Sequence, residues 1–345
     1  MGFIDRLDLD DLVIKYNVDR YVKDFRTVDM IKIAMLYFYS KERYLKHFLE
    51  ALYANKACCA LFHVPHTSVQ HVYKALKKRC WWFFYEAFHQ VVAKLQGREP
   101  LVDKLFRNRE VRIIDSTFVE VAMTRLFFAR FGYCSTEKRY KEGMKLHVLL
   151  NYSQDLVEDF VETPASVHDS RVADTLLRSV SECVLLMDKG YHKLERYQAL
   201  DRRGVTFIIP FKQRSSYDML EERELDFDGA AVTCKIVRLS NGLKVQLTSV
   251  EGFELICNDL SLSWYEIHAL YTMRWEIENL FKRLKSGWRI DQPLFRNHNS
   301  IMSFICMTLI AYLLLERLSA ELHEEILPVR LRLGRRIETC LECAA

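Results

Sequence analysis

Two short apolar runs, each ending in an aspartate, do most to limit what this chain can fold into. Val111-Arg112-Ile113-Ile114 leads into Asp115-Ser116-Thr117, and Glu182–Met187 leads into Asp188. Both are short and rich in Val, Ile and Leu, and they read as buried strands. More such segments follow in alternation: strands at Phe118–Ala122, Lys145–Leu150 and Leu156–Glu162, a polar helix start at His168-Asp169-Ser170, a helix over Leu194–Arg203 and a strand at Val205–Ile209. Strands interleaved with helices specify an α/β layer fold. In an open sheet of that class, functional groups gather just beyond the carboxyl ends of the strands, where Asp115 and Asp188 are expected.

A third carboxylate comes from the stretch Tyr271–Lys285, YTMRWEIENLFKRLK. It holds no Gly or Pro and is rich in Met, Leu, Glu, Lys and Arg, so a single helix is expected, entered through a capping box at Ser263 and Glu266. On that helix Leu270, Met273, Ile277, Leu280, Phe281 and Leu284 form an apolar arc, and Thr272, Glu276, Asn279 and Arg283 face away from it. Tyr271, Arg274, Glu278 and Lys285 share an arc about 60° wide that extends roughly 21 Å along the axis. The carboxylate offers a hard oxygen to a divalent ion, while the cations and the phenol suit phosphates. Taken alone, Arg274–Glu278 is also an ordinary i,i+4 ion pair. Three converging carboxylates repel unless cations neutralise them. Two divalent ions about 4 Å apart would do so and would drive in-line phosphoryl transfer.

The remaining segments set the partition of the chain. Residues 1–100 read as helices: one capped by Thr27 or Asp29, one over Tyr44–Leu61, and one after Pro65 capped by Thr67 or Ser68. The last presents Gln70, His71, Lys74, Lys77, Lys78 and Arg79 around a narrow apolar stripe. It fits either a helix-turn-helix reader of the major groove or a bundle with a wet face. The aromatic run Trp81–Tyr85 reads as packing. Residues 101–211 and 261–320 are expected to form the α/β domain, residues 212–260 an inserted β subdomain, and residues 321–345 a C-terminal tail or helix. The net charge is only +4, so nucleic-acid binding would have to come from local patches. Ten cysteines without paired spacing suit a reducing compartment, and Cys340-x2-Cys343 lacks the second pair of a zinc site. The chain opens with neither a myristoylation signal nor a signal peptide. Ile301–Leu315 reads as a buried helix rather than a membrane span.

Together these motifs resemble the DDE transposases of the fourth insertion-sequence family, whose signature is Y-x2-R-x3-E-x6-K. Tyr271, Arg274, Glu278 and Lys285 fill its four positions. IIDST resembles the family's first-aspartate strand, EGMKLHVLLN the strand after it with Lys145 and His147, and VHDS (His168, Asp169) and LLMDKGYHK the next two blocks. The likeness runs from Arg112 to Leu315. It implies a ribonuclease H-like mixed sheet flanked by helices, with a β insertion and an all-α N-terminal domain that binds DNA ends. It further implies that Asp115, Asp188 and Glu278 are the catalytic residues and hold two Mg²⁺ ions, with Mn²⁺ able to substitute. Tyr271, Arg274 and Lys285 would contact DNA phosphates, joined by the nearby basic residues Lys282 and Arg289 and by Lys145. His147 and His168 are candidate auxiliaries. The implied activity is hairpin or hydrolytic cleavage at transposon ends and strand transfer into duplex target DNA, by a homodimer in a bacterial cytoplasm. The alternatives are a transposase-derived DNA-binding regulator that no longer cuts, or a structure- or RNA-directed nuclease on the same fold.

Overall fold

The computed structural model describes residues 3–97, 109–121, 130–134, 139–211, 216–227, 230–291 and 295–342. Ala122, the expected boundary at 100/101, Lys212 at the start of the β insertion and Cys343 of the C-x2-C pair lie outside these. The helices are α1 (Asp10–Tyr16), α2 (Thr27–Tyr39), α3 (Leu45–Ala54), α4 (Lys56–Leu61), α5 (Val69–Lys78), α6 (Trp81–Leu95), α7 (Ala173–Leu176), α8 (Leu194–Asp201), α9 (Trp264–Thr272), α10 (Trp275–Trp288), α11 (His298–Leu322) and α12 (Ile326–Glu342). The strands are β1 (Val111–Glu120), β2 (Arg130–Cys134), β3 (Arg139–Asn151), β4 (Leu156–Pro164), β5 (Val184–Met187), β6 (Thr206–Pro210), β7 (Tyr217–Phe227), β8 (Ala230–Leu239), β9 (Lys244–Val250) and β10 (Phe253–Cys257). The chain divides into two units: a helical one that also takes the chain from Gly287 onward, and a sheet-based one that ends at Ser286.

The sheet unit is one mixed sheet in the order β2-β3-β1-β5-β6-β10-β9-β8-β7, with β4 also paired to β3. β1 lies antiparallel to β3 but parallel to β5, and β5 is parallel to β6. Every residue of β5 and β6 is buried, the continuous apolar pattern of parallel strands covered on both faces. The strands β7–β10 join this same sheet through the antiparallel pairing of β10 with β6. The outer strand β7 exposes Asp218, Glu221, Glu222, Arg223, Glu224 and Asp226, charges that discourage pairing with another chain at the edge.

One strand differs from expectation. Val111–Ile114 and Phe118–Ala122 are not two strands, because β1 runs unbroken from Val111 to Glu120. Ser116–Glu120 stays paired with β3, and Thr117 and Val119 keep the buried alternation. What ends at Ile114 is only the pairing with β5, whose last partner there is Met187.

In the helical unit α11 forms the centre, packing against α2, α5, α6 and α12. It is long and apolar enough to cross a membrane, but Ser300–Leu315 is buried within the unit, as the sequence suggested. Asp29 caps α2 by accepting the Arg26 amide, and Ser68 caps α5 by accepting the His71 amide. The expected helix over Tyr44–Leu61 is two helices. Asn55 breaks it with an extended backbone and caps α4 with its side chain, which accepts from the Cys58 amide. Arg79 also departs from expectation. It lies past the end of α5 and is buried, its guanidinium donating to the Phe25 carbonyl and standing 3.6 Å from Asp19.

Candidate active site

The register of β1 and β5 creates the site. Ile114 is paired with Met187, so Asp115 and Asp188 are the next residues on two adjacent parallel strands, whose spacing is about 4.8 Å. Asp188 leaves the sheet at once and stands at the N-terminus of a short 3-10 helix, Lys189–Tyr191, with no capping bond from its side chain. Asp115 stays in β1, at the point where that strand has lost its β5 neighbour.

The third carboxylate arrives on α10, and the joint before α10 corrects the single-helix expectation. α9 ends at Thr272 and α10 starts at Trp275. Over the joint the amides of Met273, Arg274 and Glu276 bond three residues back, to Leu270, Tyr271 and Met273. Tyr271 therefore belongs to α9, while Glu278 and Lys285 belong to α10, so no single stripe carries all four signature residues. The apolar arc holds except at Met273, which is half-buried: Leu270, Ile277, Leu280, Phe281 and Leu284 are buried. The capping box at Ser263 and Glu266 is also present.

Arg274, at the joint, ties the site together. Its guanidinium donates to Asp115 Oδ2 at 3.2 Å and to Glu278 Oε1 at 2.7 Å, so one side chain spans two of the three carboxylates. The Tyr271 ring lies 5.8 Å from the same guanidinium. Asp115 Oδ1 accepts the Ser116 amide at 2.7 Å. Burial pushes the Asp115 carboxyl up to about 7; the Ser116 amide and Arg274 pull against this, and the charges of Asp188 and Asp169 add to it.

Asp169 and Tyr191 also border the site, and sequence periodicity assigns neither a role. Asp169, in the phrase VHDS, accepts from Lys145 Nζ at 2.8 Å and lies 3.9 Å from His147 Nδ1. A Cβ placed on Gly190 would be 3.4 Å from Asp169 Oδ2 and 3.8 Å from Asp188 Oδ2, so the absent side chain leaves a space that both carboxylates border. Tyr191 is 1% exposed, and its hydroxyl, near the Ser116 side chain and within electrostatic range of Asp115, Asp169 and Asp188, makes no hydrogen bond of normal geometry. Burial raises its pKa. The signal for both was their place in the DS and DKGY phrases, which periodicity cannot distinguish from turn residues.

The other expected site residues are distributed as follows. Lys145 is half-buried and engaged with Asp169 and the Val167 carbonyl. His147 is buried, shares a 2.9 Å hydrogen bond with Thr163, and is lowered to about 4 by burial, so it is neutral at pH 7. His168 caps the 3-10 helix Asp169–Arg171 by accepting the Ser170 amide. Lys282 is exposed and Lys285 half-buried on α10. Arg289 belongs to the helical unit, where it donates to the Arg43 carbonyl at 2.8 Å.

The fold and site define a mixed-sheet α/β domain with an acidic cluster beside its central parallel strands. The chain belongs to the family described as Transposase DDE domain, whose profile matches residues 107–314, more than half of its length. A putative transposase, y4zB, of Sinorhizobium fredii is 26% identical over 246 residues, covering 67% of this chain and 66% of that protein. A probable transposase for insertion sequence element IS5377 of Geobacillus stearothermophilus is 25% identical over 219 residues, covering 60% of this chain and 56% of the relative. A putative transposase for insertion sequence element IS4SA of Synechocystis is 22% identical over 258 residues, covering 71% and 70%. The chain thus spans about two thirds or less of the length of the first two. The cryo-EM structure of a piggyBac transposase synaptic complex with hairpin DNA is similar over 99% of this chain and 77% of that one, at 10% identity and a TM-score of 0.49.

A DDE domain implies dependence on a divalent metal. Among the described residues no three His, Cys, Asp or Glu side chains already converge on one metal-sized point, and Asp115 meets Glu278 through Arg274. The donor chemistry nevertheless fits a hard cation. Asp115, Asp188 and Glu278 offer carboxylate oxygens, Gly190 leaves room beside Asp188, and burial makes the negative charge on Asp115 costly until a cation offsets it.

Proposed function

We propose that this protein is the transposase of a bacterial insertion sequence, cleaving DNA at the element's ends and joining them to target DNA. The observation that carries the proposal is the pair Asp115 and Asp188 on adjacent parallel strands, with Glu278 held to Asp115 by one arginine. Asp115, Asp188 and Glu278 would hold two Mg²⁺ ions, with Mn²⁺ able to replace them. When bound, such ions neutralise the phosphodiester and activate water or a 3′-hydroxyl. Arg274 bridges two carboxylates in the free chain, and its guanidinium also suits a DNA phosphate once those carboxylates have another counter-charge. Tyr271, Lys282 and Lys285 flank it as further phosphate contacts. The filled Y-x2-R-x3-E-x6-K spacing supports assignment to the fourth insertion-sequence family. Action as a homodimer on paired ends, in the cytoplasm, belongs to the same proposal.

The helical unit supports a second DNA contact. A cleft of about 720 Å³ runs beside α5, and its cationic lining residues are Arg20, Lys74, Lys78 and Arg79, with Ser68, Gln70 and His71 and no acidic side chain among those that line it. A groove of that charge fits a phosphodiester backbone.

Incubating the protein with DNA carrying the element's ends and Mg²⁺ tests the proposal. Wild type nicks the ends, whereas Asp188→Asn and Glu278→Gln bind DNA without nicking it. DNA binding with no cleavage by wild type in Mg²⁺ or Mn²⁺ would instead support a regulator that no longer cuts.

A further inference from the structure

Tyr191 poses a problem that packing does not solve. Its ring belongs to the apolar core beside Ile114, Met187 and Tyr197, and a phenylalanine would fill that space equally well. The hydroxyl is buried, makes no hydrogen bond of normal geometry, and sits near the Ser116 side chain and among Asp115, Asp169 and Asp188. A buried hydroxyl left unpaired costs about 1–3 kcal/mol, and one that persists calls for a partner supplied in another state of the site.

The surroundings indicate which partner is missing. Both oxygens of Asp115 are already committed, Oδ1 to the Ser116 amide and Oδ2 to Arg274. The Lys189–Tyr191 turn is anchored to the same cluster, because the Tyr191 amide donates to the Asp188 carbonyl at 2.9 Å. Gly190 holds open the space between Asp188 and Asp169, and Lys145 pins Asp169 from the other side. A cation replacing Arg274 would release Asp115 Oδ2, and the carboxylates of Asp115 and Asp188 would each have a lone pair available to a donor.

We infer that Tyr191 is a positioning residue: its hydroxyl donates to an Asp115 or Asp188 carboxylate and fixes that carboxylate's orientation when the cluster holds a divalent cation. The inference rests on the metal-dependent reading above. It adds a donor outside the three carboxylates that sets how tightly they hold the ion. Such partners of ligating carboxylates characteristically change metal affinity 10–100-fold.

The test compares full-length wild type with Tyr191→Phe, without DNA, by two readouts. Free Mn²⁺ is counted by electron paramagnetic resonance, and thermal unfolding is followed in EDTA. The expected result is an unchanged or higher Tm in EDTA, since an unpaired polar atom has been removed, together with Mn²⁺ affinity weakened at least ~10-fold. Unchanged Mn²⁺ affinity overturns the inference. A lowered Tm in EDTA also overturns it, because the hydroxyl would then be a structural partner, for instance of Ser116. Asp188→Asn serves as the control. If it binds Mn²⁺ as wild type does, or if wild type binds none, the metal site itself fails, which is distinguishable from a failure confined to Tyr191.

Discussion

Replacing Asp115 by Asn should make the metal-free protein more stable while abolishing cleavage. The Asp115 carboxyl is pushed from 3.8 to about 7, chiefly by burial. An unfolded chain ionises this group near 3.8, so between about 4 and 7 the folded state holds the extra proton. Stability contributed by the protonated form is therefore lost as pH rises through that window. Above pH 7 the folded protein carries a buried carboxylate that it would hold more cheaply neutral, at a ceiling of roughly 4 kcal/mol. The side chain keeps 18% of its surface in contact with solvent, so about half that ceiling is a fairer expectation. Asn matches the neutral form in shape, and a gain of about 2 kcal/mol corresponds to a rise of about 4–8 °C for a unit of this size. Calorimetry in EDTA at pH 8 and at pH 4 measures it. The difference between Asp115→Asn and wild type should be present at pH 8 and largely vanish at pH 4. An Asn variant no more stable than wild type at pH 8 would refute the claim that burial dominates at this carboxylate.

Two further expectations follow from the same geometry. Lys74→Glu with Lys78→Glu should weaken DNA binding across sequences and flatten the dependence of log K on log salt by about 2 or more, measured by fluorescence anisotropy between 50 and 200 mM salt; an unchanged slope would remove the α5 cleft from the DNA path. Gly190→Val should fold normally but lose Mn²⁺ affinity, because its added methyl groups enter the space bordered by Asp169 and Asp188; calorimetric titration showing wild-type affinity would mean the space is not used.

Much of the α/β domain was legible in the chain because its signals are local. Apolar runs such as Val184–Met187 announce a doubly covered strand, and Ser263 with Glu266 announces a helix start. Asp115 and Asp188 come together if their two strands are neighbours, and the register pairs β1 with β5 up to Ile114 and Met187, although β1 itself continues to Glu120. What local signals could not give were effects decided by partners far along the chain. The continuation of β1 past Asp115 depends on β3, and the alternation of Ser116–Glu120 looks the same for one strand or two. Nothing in YTMRWEIE marks a break, since every residue there tolerates a helix, yet the chain tightens at Met273–Arg274 and Arg274 reaches a carboxylate 159 residues away. Helix periodicity puts Arg79 among the exposed cations of α5, but it is bonded to the Phe25 carbonyl and lies near Asp19, a burial that periodicity does not reveal. Asp169 and Tyr191 lie in short polar turns, which carry no period and so give no local signal.

The central claim is that Asp115, Asp188 and Glu278 together hold the divalent cations, and anomalous diffraction from a Mn²⁺-loaded crystal with bound DNA addresses it most directly. The account predicts manganese ligated by oxygens of Asp115, Asp188 and Glu278, with the Arg274 guanidinium moved from Asp115 onto a DNA phosphate. Manganese bound elsewhere, or Arg274 still bridging Asp115 and Glu278 in the loaded complex, would contradict it.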